Sequence, residues 1–188
     1  NPEVCGTGVR LVGEVAADAS GNLKGAVVYL EKIAAGKAWP ETTDGSVIDQ
    51  EGCRFLPKTL VMRKGSEVKI KNKDKVFHNI HAYELAGAQR ISMFNDGQPA
   101  ASELRHDLRM RRGNEVKLEC DAHKFMHEWF LVLDHPYFGA TAGDGRYALD
   151  EVPPGTYKLI AWHPVLGRRT APIEVKAGGT VSTDFTFK

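Results

Sequence analysis

Long apolar runs are absent from this chain. No stretch approaches the roughly twenty residues that a membrane-crossing helix requires, so none is expected. Helical periodicity is also scarce, since apolar residues seldom recur at three- and four-residue spacing; the one stretch with some helical character, Ala100 to Met110, is expected to be a short helix or an ordered loop. Charge of one sign is lacking: 25 basic and 24 acidic residues leave a formal net charge of +1. With no nucleic-acid-binding motif, that balance argues against DNA or RNA as a partner. The first residues hold no charged-then-apolar signal segment, so any export signal is expected to have been removed already. Cys5, not being the first residue, is not expected to carry a lipid anchor.

What is present fits one or two compact, soluble domains rich in turns: 188 residues, 42% hydrophobic, with 19 glycines and 9 prolines. Strand-like segments run through the chain. Val9 to Val15 and Ala26 to Leu30, separated by the turn-forming Asp18-Ala19-Ser20-Gly21-Asn22, predict a β pair. Near the carboxyl end, Tyr147 to Leu149, Tyr157 to Trp162, Ile173 to Val175 and Val181 to Phe187 read as strands, with Pro153-Pro154-Gly155 and Ala177-Gly178-Gly179 as turns.

The chemistry concentrates in Cys120-Asp121-Ala122-His123-Lys124-Phe125-Met126, about forty residues after His78-Asn79. A thiolate, two imidazoles and a weak thioether are the donor set of mononuclear electron-transfer copper. One short loop offers three of them, and His78, at the end of the period-two run through Val68 and Ile70, offers the fourth. Taken singly, a cysteine is a small buried hydrophobe and Met126 is core; their joint spacing favours a metal. Zinc fits less well. His123 and His127 are four apart, which suits a helix, yet Trp129 to Leu133 reads as a strand.

His78-Asn79 followed by Cys-x2-His-x2-Met resembles the cupredoxins, and the ligand loop is most similar to that of amicyanin. The resemblance implies one copper ion held by His78, Cys120, His123 and Met126, with Asn79 pinning the two ligand loops together by hydrogen bonds. Asp121 stands where these proteins usually carry Ser or Thr and places a negative charge beside the thiolate. His127, next to Met126, is a possible extra ligand. His81, three residues after His78, invites thought of a second metal, against the plainer reading of a surface histidine beside Tyr83. With Cys120 assigned to copper by that resemblance, Cys5 and Cys53 are left and are expected to form a disulfide. It would close a loop of about fifty residues, worth roughly 4 kcal/mol on a chain-entropy model, and it implies an oxidising compartment, the periplasm.

The chain ends carry a second resemblance. Gly13-x-Val15, Gly25-Ala26-x-Val28, Gly143-Asp144-Gly145-Arg146-Tyr147 and Pro153-Pro154-Gly155-Thr156-Tyr157 are similar to the carboxypeptidase regulatory-like, transthyretin-like β-sandwich. The expected architecture is therefore all-β: residues 1–36 and 136–188 form that sandwich, and 37–135 form a cupredoxin Greek-key sandwich inserted in one of its loops. Insertion where two chain ends lie close leaves both cores uncut. The disulfide would then staple one sandwich to the other.

Several groups are left to plainer roles. His106, His135 and His163 are not assigned to a site. Lys69, Lys71, Lys73 and Lys75 alternate along one expected strand, either as a solvated face or, with Arg105, Arg109, Arg111 and Arg112, as a patch that steers an acidic redox partner. The resemblance implies a periplasmic carrier of single electrons and not an enzyme; the sequence has no His-x-His pair of the kind coupled copper oxidases need for a trinuclear centre. Expected partners are a redox protein such as a c-type cytochrome, or a membrane electron-transfer complex, docking on an apolar rim that includes Ala122 and Phe125. Two other readings stand beside it: an interaction subunit of a larger envelope complex with copper incidental or absent, and a copper-tolerance or delivery protein.

Overall fold

A computed structural model describes residues 1–7, 15–40, 47–57 and 60–188. One short helix, α1 (Pro2–Cys5), precedes the strands. In chain order these are β1 (Ala16–Ala17), β2 (Leu23–Lys24), β3 (Val27–Leu30), β4 (Val47–Gln50), β5 (Phe55–Leu56), β6 (Leu60–Arg63), β7 (Glu67–Asn72), β8 (His78–Ala86), β9 (Gln89–Gln98), β10 (Glu103–Asp107), β11 (Glu115–Glu119), β12 (His127–Leu133), β13 (Phe138–Ala140), β14 (Gly155–His163) and β15 (Gly167–Val175). The all-β class holds. The described residues divide into two compact units, one of Asn1–Val12 with Pro40–Asp134 and the other of Gly13–Trp39 with His135–Lys188.

The first unit has two sheets, ordered β10-β7-β4-β5 and β6-β12-β11-β8-β9. Period-two alternation explains how they meet. Val68 and Ile70 of β7, Ile80 and Ala82 of β8, and Val116 and Leu118 of β11 all turn the same way from their strands and are buried in one core with Ile48, Phe55, Met62 and Phe130. Each such large aliphatic or aromatic side chain contributes about 1.5–3 kcal/mol by leaving water. The long antiparallel pair β8 and β9 slips register between Ala82 and Tyr83.

The stretch Ala100 to Met110, expected to be a short helix or an ordered loop, instead contains strand β10, with Leu104 opposite Ile70 of β7. A spacing of four between Leu104 and Leu108 suits a helix turn, but it is equally a multiple of the strand period, and the neighbouring strand decides. The lysine row is shorter than expected: β7 ends at Asn72, so Lys73 and Lys75 lie beyond it, and Lys73 pairs with Asp49 at 2.7 Å.

The second unit is built on the sheet β13-β3-β14-β15. Val28, Leu30, Tyr137, Leu159 and Ala161 form its buried centre. Tyr157 to Trp162 and Ile173 to Val175 lie in β14 and β15 as read from the sequence. Tyr147 to Leu149 and Val181 to Phe187 do not form strands, although Tyr147, Leu149, Phe185 and Phe187 pack on the same centre and the Tyr147 hydroxyl donates to the Thr183 carbonyl at 2.6 Å. Their alternation reports one buried face, which packing supplies without a ladder. The strand expected over Val9 to Val15 lies outside the described residues except for Val15.

Cys5 and Cys53 are bonded, with Cα atoms 5.1 Å apart. The staple is not where the sequence placed it. Asn1–Val12, expected with the flanking sandwich, groups with Pro40–Asp134, so both cysteines belong to the first unit.

Candidate metal centre

The first ligand position is set by the end of β7. Asn72 turns its side chain inward, and its amide nitrogen reaches the Val76, Gln98 and Pro99 carbonyl oxygens at 2.9, 3.2 and 2.9 Å. That fixes the short turn leading into β8, whose first residue is His78, fully buried. Asp74, on the same turn, is the partner of its outer nitrogen: His78 Nε2 donates to Asp74 Oδ2 at 2.8 Å. The carboxylate is itself held by the Gly52 N–H at 2.7 Å and the Cys53 N–H at 2.8 Å. Burial raises the Asp74 carboxyl, but these N–H groups and His78 outweigh it and keep it below its usual range. A buried carboxylate on Nε2 fixes the tautomer and leaves Nδ1 as the electron-pair donor.

The second strand end delivers the loop. β11 stops at Glu119 and β12 starts at His127, so 120–126 span the gap. Three backbone bonds close it: Cys120 N–H to the Met126 carbonyl (3.1 Å), His123 N–H to the Cys120 carbonyl (3.1 Å) and Met126 N–H to the His123 carbonyl (2.8 Å). His78 Nδ1 and His123 Nδ1 lie 3.2 Å apart, with Cys120 Sγ 3.9 Å from the first and 3.6 Å from the second.

Those three separations test the fit of a metal directly. A triangle of sides 3.2, 3.6 and 3.9 Å has a circumradius of about 2.1 Å, within the roughly 2.0–2.3 Å of first-row metal bonds to imidazole and thiolate. The surroundings shift two of these donors. Burial pushes the Cys120 thiol up, yet the hydrogen bond with His78 and the N–H groups of Asn79, His123 and Ala122 outweigh it and bring the thiol below its ordinary value. Burial likewise pulls His78 down, and its bonds to Cys120 and Asp74 override that and raise it. Met126 ends the loop and is buried among the core residues.

The structure brings together His78, Cys120 and His123. Asn79 bridges the two segments: its N–H approaches Cys120 Sγ at 3.4 Å and its Oδ1 accepts the Asp121 N–H at 2.9 Å. The Asp121 carboxylate turns outward, 3.2 Å from His81 Nδ1. His81 stacks on Tyr83 at 4.0 Å and meets Ser92 Oγ at 3.1 Å; it is not among the clustered donors. Neither is His127, which opens β12 and packs edge-on to Trp129. His123 is partly buried, with Asn1 Nδ2 3.2 Å from its Nε2. Phe125 lies 5.8 Å from its ring and, like Phe77, is exposed.

Sequence reasoning missed Asp74. Between Lys73 and Lys75 it reads as one charge of a solvated run, and only its position four residues before His78, across a turn, signals an inward role.

No protein-family model matches the chain, and none of the curated proteins compared with it matches. Several solved structures are similar over about half of it. A copper-containing nitrite reductase from Thermus scotoductus shares 17% identity over 55% of this chain and 25% of its own, with a TM-score of 0.40. A purple cupredoxin from Nitrosopumilus maritimus shares 19% over 47% of this chain and 100% of its own, TM-score 0.40. Amicyanin from Paracoccus versutus shares 17% over 56% of this chain and 97% of its own, TM-score 0.40. This chain thus spans a quarter of the nitrite reductase. The chemistry of the site stands on its own donors.

Proposed function

We propose that the chain is a periplasmic carrier of single electrons that binds one copper ion through His78, Cys120, His123 and, axially, Met126, and that it is not an enzyme. The observation that carries this is the donor triangle: one buried cysteine sulfur and two imidazole nitrogens surround a point at bonding distance from all three. When bound, the ion supplies a one-electron couple. The residues hold its surroundings fixed. Asp74 keeps His78 in one tautomer, Asn79 ties the strand end to the loop, and three backbone bonds close the loop on itself. Donors that keep their places between oxidation states reduce the rearrangement that accompanies each transfer.

The outer edge of His123, beside exposed Phe125 and followed by Lys124, is the port in this reading. A redox protein such as a c-type cytochrome, or a membrane electron-transfer complex, is the partner proposed there. We also infer that the second unit is a transthyretin-like sandwich interrupted by the copper unit, as supported by a sheet that joins β3 to β13, β14 and β15 across the intervening residues.

Copper(II) added to the purified chain is expected to give an intense visible thiolate-to-copper band that is lost in Cys120→Ser. A colourless product from a folded wild-type chain rejects the carrier role.

A further inference from the structure

Both clustered histidines lie beside one disulfide. Asp74 Oδ2, the oxygen that accepts from His78 Nε2, also accepts the Cys53 N–H at 2.8 Å, while the Gly52 N–H holds Oδ1 at 2.7 Å. Gly52 and Cys53 make this grip with φ of 59° and 54°. For Cys53, which has a side chain, that left-handed backbone is strained and persists only where the surroundings impose it. The bond to Cys5 is such a restraint. On the other side, Cys5 ends α1, and Asn1, which caps that turn, lays its side chain 3.2 Å from His123 Nε2. A His123 ring nitrogen and both cystine sulfurs lie within 4.8 Å of one another, as do Cys53 Sγ, an Asp74 oxygen and a His78 nitrogen. The cystine is buried, at 8% and 0% exposure for Cys5 and Cys53.

We infer that the Cys5–Cys53 disulfide positions both histidine ligands, His78 through Asp74 and His123 through the Asn1 side chain beside its Nε2, so that opening the disulfide loosens the centre and releases His123 from Asn1. This rests on the copper reading above. Opening is a two-electron exchange with a dithiol: one thiolate attacks a sulfur of the cystine, the second resolves the mixed disulfide, and Cys5 and Cys53 leave as two thiols while the dithiol becomes a disulfide. A cross-link that only restrained the unfolded chain would raise stability and leave the ligands as they are.

The full chain carrying Cys5→Ser with Cys53→Ser, its folding checked by near-ultraviolet circular dichroism, separates the two roles. Loaded with copper(II), it is expected to keep a thiolate band at a shifted wavelength and to release copper to a competing chelator about tenfold faster, as changes behind metal-binding histidines do. Without metal, the ring-nitrogen NMR signals of His78 are expected to move and His123 to react faster with diethyl pyrocarbonate. A folded variant that matches wild type in band, release and histidine behaviour overturns the inference. If the double variant does not fold, Asp74→Asn and Asn1→Ala, which keep the disulfide, decide: the first is expected to move the His78 signals alone and the second to raise His123 reactivity alone, and no change in either overturns it. A wild-type chain without a thiolate band defeats the copper reading instead, and the metal-free histidine measurements then test positioning by themselves.

Discussion

Buried histidines occur in both units, and they differ in what faces them. In the first unit His78 has a carboxylate on one nitrogen and, on the other, a second imidazole and a thiol. In the second unit His135 lies against the Leu30 carbonyl (3.0 Å) through Nε2 and takes the Tyr137 N–H (3.2 Å) on Nδ1, while His163 Nδ1 takes the Val165 and Leu166 N–H groups at 3.2 and 3.3 Å. Backbone groups meet both nitrogens of His135 and one of His163. Burial of a histidine therefore marks a polar group whose partners must be found, and only where the partners are themselves metal donors does it mark a site.

That contrast can be broken most forcefully at the ligands. His78→Ala is expected to cost more copper affinity than the roughly 10–100-fold typical of outer-shell changes, whereas His135→Ala and His163→Ala leave affinity and band unchanged; an absorption titration with copper(II) reads all three. The same logic applies to a buried carboxylate of the first unit, Glu84, which accepts the N–H groups of Arg111, Arg112 and Gly113. Burial raises its carboxyl, but those three donors hold it below the usual range. Glu84→Ala strands them, and a loss of about 3 kcal/mol in urea unfolding is expected, with the band of the surviving folded fraction unaltered.

A smaller effect distinguishes the histidines by sign. Burial lowers His163, so between its folded value and about 6.5 the unfolded chain binds the extra proton. Its contribution is complete above about 6.5 and is lost as pH falls. His78 is raised, so its contribution in the metal-free protein is complete below about 6.5 and is lost as pH rises through its folded value. Scanning calorimetry of the metal-free chain between pH 5 and 8 (a range of about three units around the free-histidine value) is expected to show His163→Gln flattening the acid-side loss and His78→Gln flattening the alkaline-side loss. The smallest change belongs to His81→Ala, which removes a neighbour of the Asp121 carboxylate. The copper potential, read by voltammetry, is expected to shift by only about 10–30 mV, under the roughly 1 kcal/mol of a solvent-exposed pair.

The candidate loop was legible because a seven-residue window fixes its own spacing, whereas His78, read as the end of the run through Val68 and Ile70, opens the next strand, β8. Pairing of Cys5 with Cys53 followed from the same resemblance. Three features stayed hidden for physical reasons. Asp74 has the side chain of a surface residue and becomes interior only through N–H groups on a segment more than twenty residues away. Leu104 and Leu108 satisfy two periods at once, and β7 chooses between them. The position of the disulfide depended on which unit claims the amino terminus, and a strand pattern such as Val9 to Val15 suits a sheet of either unit.

The three bonds that the 120–126 loop makes with itself have one further consequence. The segment closes on itself and is tied to the sheet at its Cys120 end, through β11 and through Asn79 of β8, whose Oδ1 accepts the Asp121 N–H. A residue added or removed between Cys120 and Met126 is therefore expected to break those closures and move His123 and Met126, while the Asn79 tie keeps Cys120 beside His78.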